Sequence, residues 1–478
     1  MKKTRLIVVT VLAFSSLSNL SWPYQGDGTA ENPFQISTVN DWLTLINTSA
    51  DWNKSFVVTA DLDFQGAVLT PIAPDTNPGS TGFQGTAFSG VLNGDNHTFQ
   101  NFVIDQPSAD YVGLFGQTSS AAAIRNLHIR SFVIKGRNYV GSLLGENQGS
   151  ITLCSAEGFV QGQNYIGGLT GHNYYGLTNF CRTNSIFVKG TAYVGGLAGK
   201  NYSNAANPSN RYGAILFCHS TGQIEGLGIA GGLVGMNEGL IYNCWADTII
   251  PASADGVKIG GLIGENYSIV RSCFAAGSVI AGVKSGGFIG TNFGLVANCY
   301  STSSISGTSR IGGFIGHNTG PLSFCYSTGL VIGSQETGGL IGFCFYNNAS
   351  SCFWDIQTSG QTISADGIGK TTAQMKTLST FTSAGWDFTN ETANGTDDIW
   401  RMCTDGVDYP RLNWERTRGD FACPDGVYLE DLTFINDRWL MSGCSSSNNF
   451  CGGADLNSSG LVDLADWAVF AQNWLREI

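Results

Sequence analysis

YIGGLTGHN, residues Tyr165 to Asn173, is the stretch whose recurrence decides the fold. It returns as YVGSLLGEN (Tyr139 to Asn147), YVGGLAGKN (Tyr193 to Asn201) and IAGGLVGMN (Ile229 to Asn237). IGGLIGEN (Ile259 to Asn266), SGGFIGTN (Ser285 to Asn292) and IGGFIGHN (Ile311 to Asn318) continue the series. YVGLFG (Tyr111 to Gly116) opens it and TGGLIG (Thr337 to Gly342) closes it. The spacing is mostly 26 to 29 residues, with one longer interval before Gly235. A second feature travels with each copy. Cys154, Cys244, Cys273, Cys299 and Cys325 lie nine residues beyond the last Gly of the motif, Cys181 and Cys352 ten beyond, and Cys218 after an insertion around Asn204 to Arg211.

Short segments of β-branched and aromatic residues alternate with polar ones and are punctuated by Gly, which is a strand signature. No sustained 3.6-residue apolar period marks a repeat helix. One such unit cannot bury its apolar face alone, whereas stacked units can, pairing each strand with its equivalent above and below at ~4.8 Å. The reading is a mainly β chain: a β-helix or β-solenoid of about nine repeats of ~26 residues, a rod roughly 40 Å long at that rung spacing. Leu, Phe, Ile, Val and Cys at matching positions fill the interior. The repeated Gly is expected at φ > 0 corners and at close backbone approaches. The repeated Asn (Asn147, Asn173, Asn201, Asn237, Asn266, Asn292, Asn318) is expected to form a corner ladder of amides bonded along the axis, ending where Phe343-Cys344 replaces it.

This repeat resembles the GLUG-motif family, named for its G-L-hydrophobic-G signature, over roughly residues 111–356. The resemblance implies a surface-exposed or secreted protein, in a family where some members are adhesin-like or attached to extracellular proteases. It implies a structural repeat, not an active site.

The flanks complete the organisation. Lys2, Lys3 and Arg5 precede an apolar run from Leu6 to Phe14 and small polar residues to Ser21, the layout of a secretory signal over 1–21 and too short for a membrane span. The alternative is a buried N-terminal strand, which clustered positive charge disfavours. No later segment is long and apolar enough to span a membrane, so the expected location is secreted or cell-surface. Residues 22–110 read as an N-terminal cap, with a short helix over Thr38 to Ile46 and strands over Phe56 to Phe64 and Phe88 to Ile104. Residues 357–415 lose the repeat and read as a C-terminal cap or joining segment, and 416–478 as a separate small module. With a net charge of −12 and no basic stripe, nucleic acid is not an expected partner.

Export places the thirteen Cys in an oxidising compartment. The eight ladder Cys are read as mostly unbridged inward thiols, because parallel Cβ vectors on neighbouring rungs suit a disulfide poorly. Cys444 with Cys451 is the better disulfide candidate, and Cys403 with Cys423 a weaker one. Zinc is the competing use of these residues, but no CxxC pair exists and the ladder Cys lack nearby His ligands.

Residues 455–466, DLNSSGLVDLAD, read as a twelve-residue calcium loop. Asp455, Asn457 and Ser459 take positions one, three and five. Gly460 makes the turn at six, Leu461 offers its carbonyl at seven, Asp463 stands at nine and Asp466 closes at twelve. A helix follows, with Leu464, Trp467, Ala468, Ala471, Trp474 and Leu475 on one apolar face. The competing reading is an acidic Asx-rich turn that caps a helix near Asp463. The stretch resembles a type I dockerin repeat, and a degenerate copy stands 35 residues earlier: Asp420 matches Asp455, Val427 matches Val462 and Asp431 matches Asp466. Ala422, Pro424 and Asp425 replace loop residues there. The resemblance implies calcium and a cohesin-like domain as partner, although Leu464 and Ala465 lack the hydroxyls with which dockerins often read theirs.

Catalysis by a polysaccharide-cleaving solenoid would need carboxylates about 5 to 9.5 Å apart on neighbouring rungs. Acids in the repeat are sparse: Glu146 and Glu265 share a position four rungs apart, and Glu238 and Glu265 are expected to diverge across a corner. The slot after the last Gly holds Glu146, His172, Lys200, Met236, Glu265, Thr291 and His317, and reads as an exposed, variable face. Gly369-Lys370-Thr371 lacks the leading Gly of a phosphate loop. Two functions follow as expectations. The first is non-catalytic adhesion or extracellular binding, to another protein, a polysaccharide or a cell-surface ligand, with calcium-dependent docking. The second is a carbohydrate-active component, hydrolase or lyase, of a secreted dockerin–cohesin assembly.

Overall fold

The computed structural model describes residues 24–203, 213–251, 257–389, 391–416, 419–422, 427–445 and 449–474. The segment read as a secretory signal, 1–21, lies outside them. Each repeat forms one coil of a β-solenoid. In the coil that carries YIGGLTGHN, the strands are Asn164–Gly167, Thr170–Tyr174, Leu177–Asn179 and Arg182–Gly190. Each pairs in parallel with its counterpart one repeat on: Ala192–Gly195, Ala198–Tyr202, Ala214–Leu216 and His219–Gly226. The solenoid makes about nine turns. The first strands of successive coils form an eight-stranded sheet and the second strands a nine-stranded one, while the rest belong to one broad sheet.

Parallel pairing reaches back before the first motif. Phe34–Ile36 pairs with Ser55–Val58, which pairs with Val91–Asn93, which meets the first coil. The helix Val39–Asn47 begins at Thr38, whose side chain accepts from the Asp41 N–H while the Asp41 carboxylate accepts from the Thr38 N–H. Its buried Trp42 sits edge-on to Phe99 and Phe115, which closes the N-terminal end of the core. Such an end must be covered, because a terminal coil otherwise exposes apolar surface and unpaired backbone.

The interior is built from ladders. Each Asn of the motif donates from Nδ2 to Oδ1 of the next: Asn147 to Asn173, Asn173 to Asn201, Asn237 to Asn266, Asn266 to Asn292 and Asn292 to Asn318, all at 2.8 Å, with Asn201 to Asn237 at 2.9 Å. In the next coil Cys344 takes that register, and the ladder stops. The eight ladder Cys are buried free thiols. Backbone N–H groups of Cys181, Cys218, Cys244 and Cys273 each point at the sulfur one coil ahead, at 3.3 to 3.4 Å. Burial pushes the thiols of Cys154, Cys218, Cys273 and Cys325 well above their ordinary range.

The corners correct one expectation. No Gly of the repeated motif has positive φ; left-handed corners fall on the residue before each ladder Cys, namely Leu153, Phe180, Phe217, Asn243, Ser272, Asn298, Phe324 and Ser351, and at the start of most motif copies, as at Tyr139, Tyr165, Tyr193 and Arg310. The motif Gly are required for space instead. A Cβ on Gly232 would stand 2.0 Å from the carbonyl oxygen of Gly261 in the next coil, and one on Gly167 2.1 Å from that of Thr170. Backbone approach, not handedness, selects glycine there.

The C-terminal part carries two further units. Parallel stacking runs on to Ile368–Lys370, which pairs with Phe353–Asp355, and the chain after it folds back along the last coils with an antiparallel ribbon of Trp400–Arg401 and Arg411–Leu412. Its cluster of Met375, Phe381, Trp386, Phe388, Trp400 and Leu412 packs on Tyr300, Tyr326 and Phe353 of the solenoid. The last unit contains helices Leu429–Asp437 and Leu464–Gln472, each nine residues long, and the disulfide Cys444–Cys451. Cys403 is also disulfide-bonded; Cys423, the partner expected for it, lies outside the described residues. No helix among the described residues is long and apolar enough to cross a membrane.

Candidate functional site

The residues of the calcium-loop reading form a hydrogen-bonded turn, and Asp463 caps the helix after it, as the competing reading expects, by accepting from the Ala465 N–H at 2.8 Å. Asp455 accepts from the Ser459 N–H through Oδ1 at 2.9 Å and from the Gly460 N–H through Oδ2 at 2.8 Å. Asp466 accepts from the Asn457 and Asp463 N–H groups at 2.9 and 2.8 Å. Both carboxylates are buried, and among the described residues neither is paired with Lys or Arg. Gly460 has φ +94°, the turn expected at loop position six. Ser459 Oγ donates to the Leu461 carbonyl at 3.1 Å, so two of the expected ligand groups lie side by side. Among the described residues no group of three or more His, Cys, Asp or Glu gathers as it would around a metal ion. The donor set here is two carboxylates with amide, hydroxyl and carbonyl oxygens. That set fits a hard cation, and Asp455, Asn457, Ser459, Leu461 and Asp466 are the residues that would hold calcium.

The preceding copy folds alike. Asp431 accepts from the Ala422 N–H and, at 2.9 Å, from the Tyr428 N–H, as Asp466 does from residues 35 positions later. Asp420, Val427 and Asp431 are buried just as Asp455, Val462 and Asp466 are. Pro424 and Asp425 lie outside the described residues.

The helix after the loop is present but turned. Asp466 and Phe470 face inward, while Ala468 and Ala471 are exposed and Leu464 is 76% exposed. The loop dictates this rotation: Asp466 must point at its N–H donors, and Phe470, one turn on, follows it into the core. Of the apolar stripe read from periodicity, Leu464, Ala468 and Ala471 therefore face solvent, while Trp467 stays half-buried against the core.

The slot after the last motif Gly overturns the expectation of an exposed face. Glu146, His172, Glu265, Thr291 and His317 are all buried in a seam. Stacked tyrosines roof it: Tyr111, Tyr139, Tyr165 and Tyr193 lie ring on ring at 4.6 to 4.9 Å, and His172 sits between Tyr139, Tyr165 and Tyr174. Each of three carboxylates at the seam has a basic side chain beside it. Glu146 meets His172 at 3.0 Å, Glu238 meets Lys200 at 3.0 Å and Glu265 meets Lys258 at 2.6 Å. Burial alone would raise the Glu146 carboxyl, but hydrogen bonds from His172, Gln148 and Gln117, with the His172 charge, outweigh it and hold the group below the usual carboxylate range. An ionised, neutralised carboxylate is poorly suited to act as a general acid.

A second site escaped the sequence reading. The residue after each ladder Cys forms an outward column, in register coil by coil: Ser155, Arg182, His219, Trp245, Phe274, Tyr300, Tyr326, Phe353. From Trp245 onward it is aromatic, with rings 5.0 to 5.6 Å apart over Trp245, Phe274 and Tyr300. Between this column and residues 357–415 lies a cleft of about 570 Å³, with Lys376, Arg401, Arg411, Asp247 and Asp408 among its lining. The change from polar to aromatic at one repeat position was the available signal.

No family model matches the chain. Halomucin of Haloquadratum walsbyi is 34% identical over 146 residues, 29% of this chain and 2% of that protein. A candidate Gly-rich membrane protein of Evansella cellulosilytica is 33% identical over 135 residues, 28% of this chain and 15% of that protein. The chain thus matches only a small part of the length of either relative. A solved structure described as a candidate immunoglobulin A1 protease from Bacteroides ovatus aligns over 81% of this chain and 94% of its own, at 16% identity and a TM-score of 0.34. The class that these coordinates define is a β-solenoid repeat protein.

Proposed function

We propose that this is a non-catalytic extracellular binding protein, whose solenoid presents a rigid surface to a polysaccharide or cell-surface ligand and whose C-terminal module docks in a calcium-dependent way. One contrast carries the reading. Each seam carboxylate has a basic side chain beside it, whereas Asp455 and Asp466 are buried with backbone N–H donors and, among the described residues, no Lys or Arg partner. Burying a carboxylate that has hydrogen bonds but no opposite charge is costly, and a bound cation would offset that cost. The exposed stripe of Leu464, Ala468 and Ala471 supplies an apolar surface for a protein partner, of which a cohesin-like domain is the type implied by the dockerin resemblance. The matching stretch in a relative described as a membrane protein and the signal-like start support a location outside the cytoplasm.

Calcium titration of the full chain tests the docking half. Saturating calcium should raise the melting temperature of the C-terminal module, by about 2.7 kcal/mol of stabilisation at a hundredfold excess over Kd. Asp455→Ala should abolish the gain. An unchanged melt in excess calcium removes the calcium reading.

A carbohydrate-active role is the second reading, favoured by Asp247 and Asp408 lining one cleft. Release of reducing ends from a polysaccharide panel, lost in Asp247→Asn, would establish it in place of the first.

A further inference from the structure

One slot of the seam holds a cation without the carboxylate that its neighbour has. In the coil of Ile259 to Asn266, the Lys258 ammonium and the Tyr267 hydroxyl both donate to Glu265 Oε1, at 2.6 and 2.9 Å. One coil on, Thr291 is in register with Glu265 and Gly286 with Gly260, so Lys284 takes the position of Lys258. The following coil puts Arg310 and His317 in the same two columns. Arg310 is paired with Glu336 at 2.8 Å. Lys284, between two paired cations, has no ion pair or hydrogen bond among the described residues.

Two more polar groups of these columns lack partners. Thr291 Oγ1 and His317 Nε2 are buried without a hydrogen bond, in residues only 1% and 8% exposed. His317 also senses the surplus of positive charge. Burial first, then Arg310 and Lys284, hold its pKa below the ordinary value, with Lys258 adding to them and Glu336 opposing. The chain has 24 Lys and Arg against 36 Asp and Glu, yet three cations stack here in consecutive coils beside two carboxylates. Like charges side by side in a sheet repel, and buried polar groups without partners are costly. One bound carboxylate offsets both.

The rim of the slot is aromatic. Phe293 stands where Tyr267 stands one coil earlier, its ring stacked on that tyrosine at 4.8 Å and 42% exposed. The next residue in this column is Thr319, and among the described residues no aromatic ring covers the other face of Phe293. A cationic slot beside an open ring face suits a sugar that carries a carboxylate and a C–H face together.

We infer, building on the proposed ligand-binding role of the solenoid, that this slot binds uronate units of an acidic polysaccharide. The sugar carboxylate sits on Lys284, in the position that Glu265 holds one coil earlier, and the sugar ring lies against Phe293. Entry is beside Lys284, whose side chain is only half-buried.

Affinity electrophoresis of the full chain tests it, with polygalacturonate or neutral hydroxyethylcellulose in the gel and polyglutamate as a soluble competitor. Polygalacturonate should retard the protein, hydroxyethylcellulose should not, and added salt should weaken the retardation. Lys284→Gln and Phe293→Ala should each weaken binding about tenfold, on the scale of one charge-assisted contact. Thr291→Glu should abolish binding without lowering the melting temperature, because it supplies from within the carboxylate that the ligand brings. Binding undiminished in both Lys284→Gln and Thr291→Glu overturns this site and leaves a polysaccharide-binding solenoid standing. Complete release by polyglutamate at equal carboxylate concentration assigns the slot to acidic peptides and overturns the sugar. No retardation by polygalacturonate overturns the inference, and retardation by hydroxyethylcellulose in that case keeps the broader binding role.

Discussion

Tyr300 Oη donates to Glu415 Oε2 at 2.9 Å, joining a rung of the solenoid to a residue 115 positions later. The bond is buried at the root of the contact between the coils and residues 357–415, where Trp414 also donates to the Ser272 carbonyl at 2.9 Å. Burial pushes the Glu415 carboxyl up to about 7, against the opposing hydrogen bonds from Leu412 and Tyr300 and the charges of Arg411 and Arg401.

That shift gives the docked segment a pH dependence of definite sign. The folded state holds a proton that the unfolded state releases above ~4.5, so the stabilisation is complete below that pH and is lost as pH rises through about 7. The loss amounts to roughly 3 kcal/mol, since each pH unit between 4.5 and about 7 is worth ~1.4 kcal/mol. Tryptophan fluorescence melts at pH 5 and pH 8 should show it, and Glu415→Gln should flatten the difference.

The Asn ladder should be intolerant of a single gap. Asn237→Ala orphans the Gly239 N–H and removes the inter-coil bonds of the Asn201 amide and the Asn266 carbonyl, which keep only longer bonds at 3.3 to 3.4 Å with the Gly213 and Leu240 carbonyls and the Ser268 N–H. An orphaned buried group costs ~1–3 kcal/mol and the lost inter-coil bonds add to it, so denaturant midpoints should fall by an amount equivalent to roughly 3 kcal/mol or more. A variant with wild-type stability would show that the ladder is ornament.

Gly232→Ala is expected to disrupt coil stacking, because its Cβ would meet the Gly261 carbonyl at 2.0 Å. Gly79→Ala is the control: its Cβ would have Asn77 Oδ1 at 3.6 Å as nearest neighbour, and its backbone is not left-handed. Circular dichroism and soluble yield should separate the two variants clearly.

Thiol reactivity should follow burial. Of the nine free Cys described, Cys344 alone is partly exposed, and burial raises its pKa. A thiol reagent at neutral pH should label Cys344 slowly in the folded protein and the eight ladder Cys only after unfolding. Rapid labelling of the ladder in the native state would contradict a closed core.

Much of this architecture is written in the sequence, because in a solenoid each motif copy meets its own equivalent. Periodicity alone therefore places Asn173 against Asn201 and Cys299 beside Cys325, and it also predicts that the amide ladder stops at Cys344. The loop from Asp455 to Asp466 is legible for a related reason: its hydrogen bonds are local, so residue type at fixed offsets is enough to draw it.

What the tertiary structure decided are relationships that no repeat register contains. Burial of Glu146 and His172 depends on tyrosines that reach over from a neighbouring strand. The outward turn of Leu464 depends on where Asp466 must point. The cleft exists only because residues 357–415 return along coils far earlier in the chain. Side-chain reach across a corner and the path of a non-repeating segment are set by packing in three dimensions, for which a linear pattern has no coordinate.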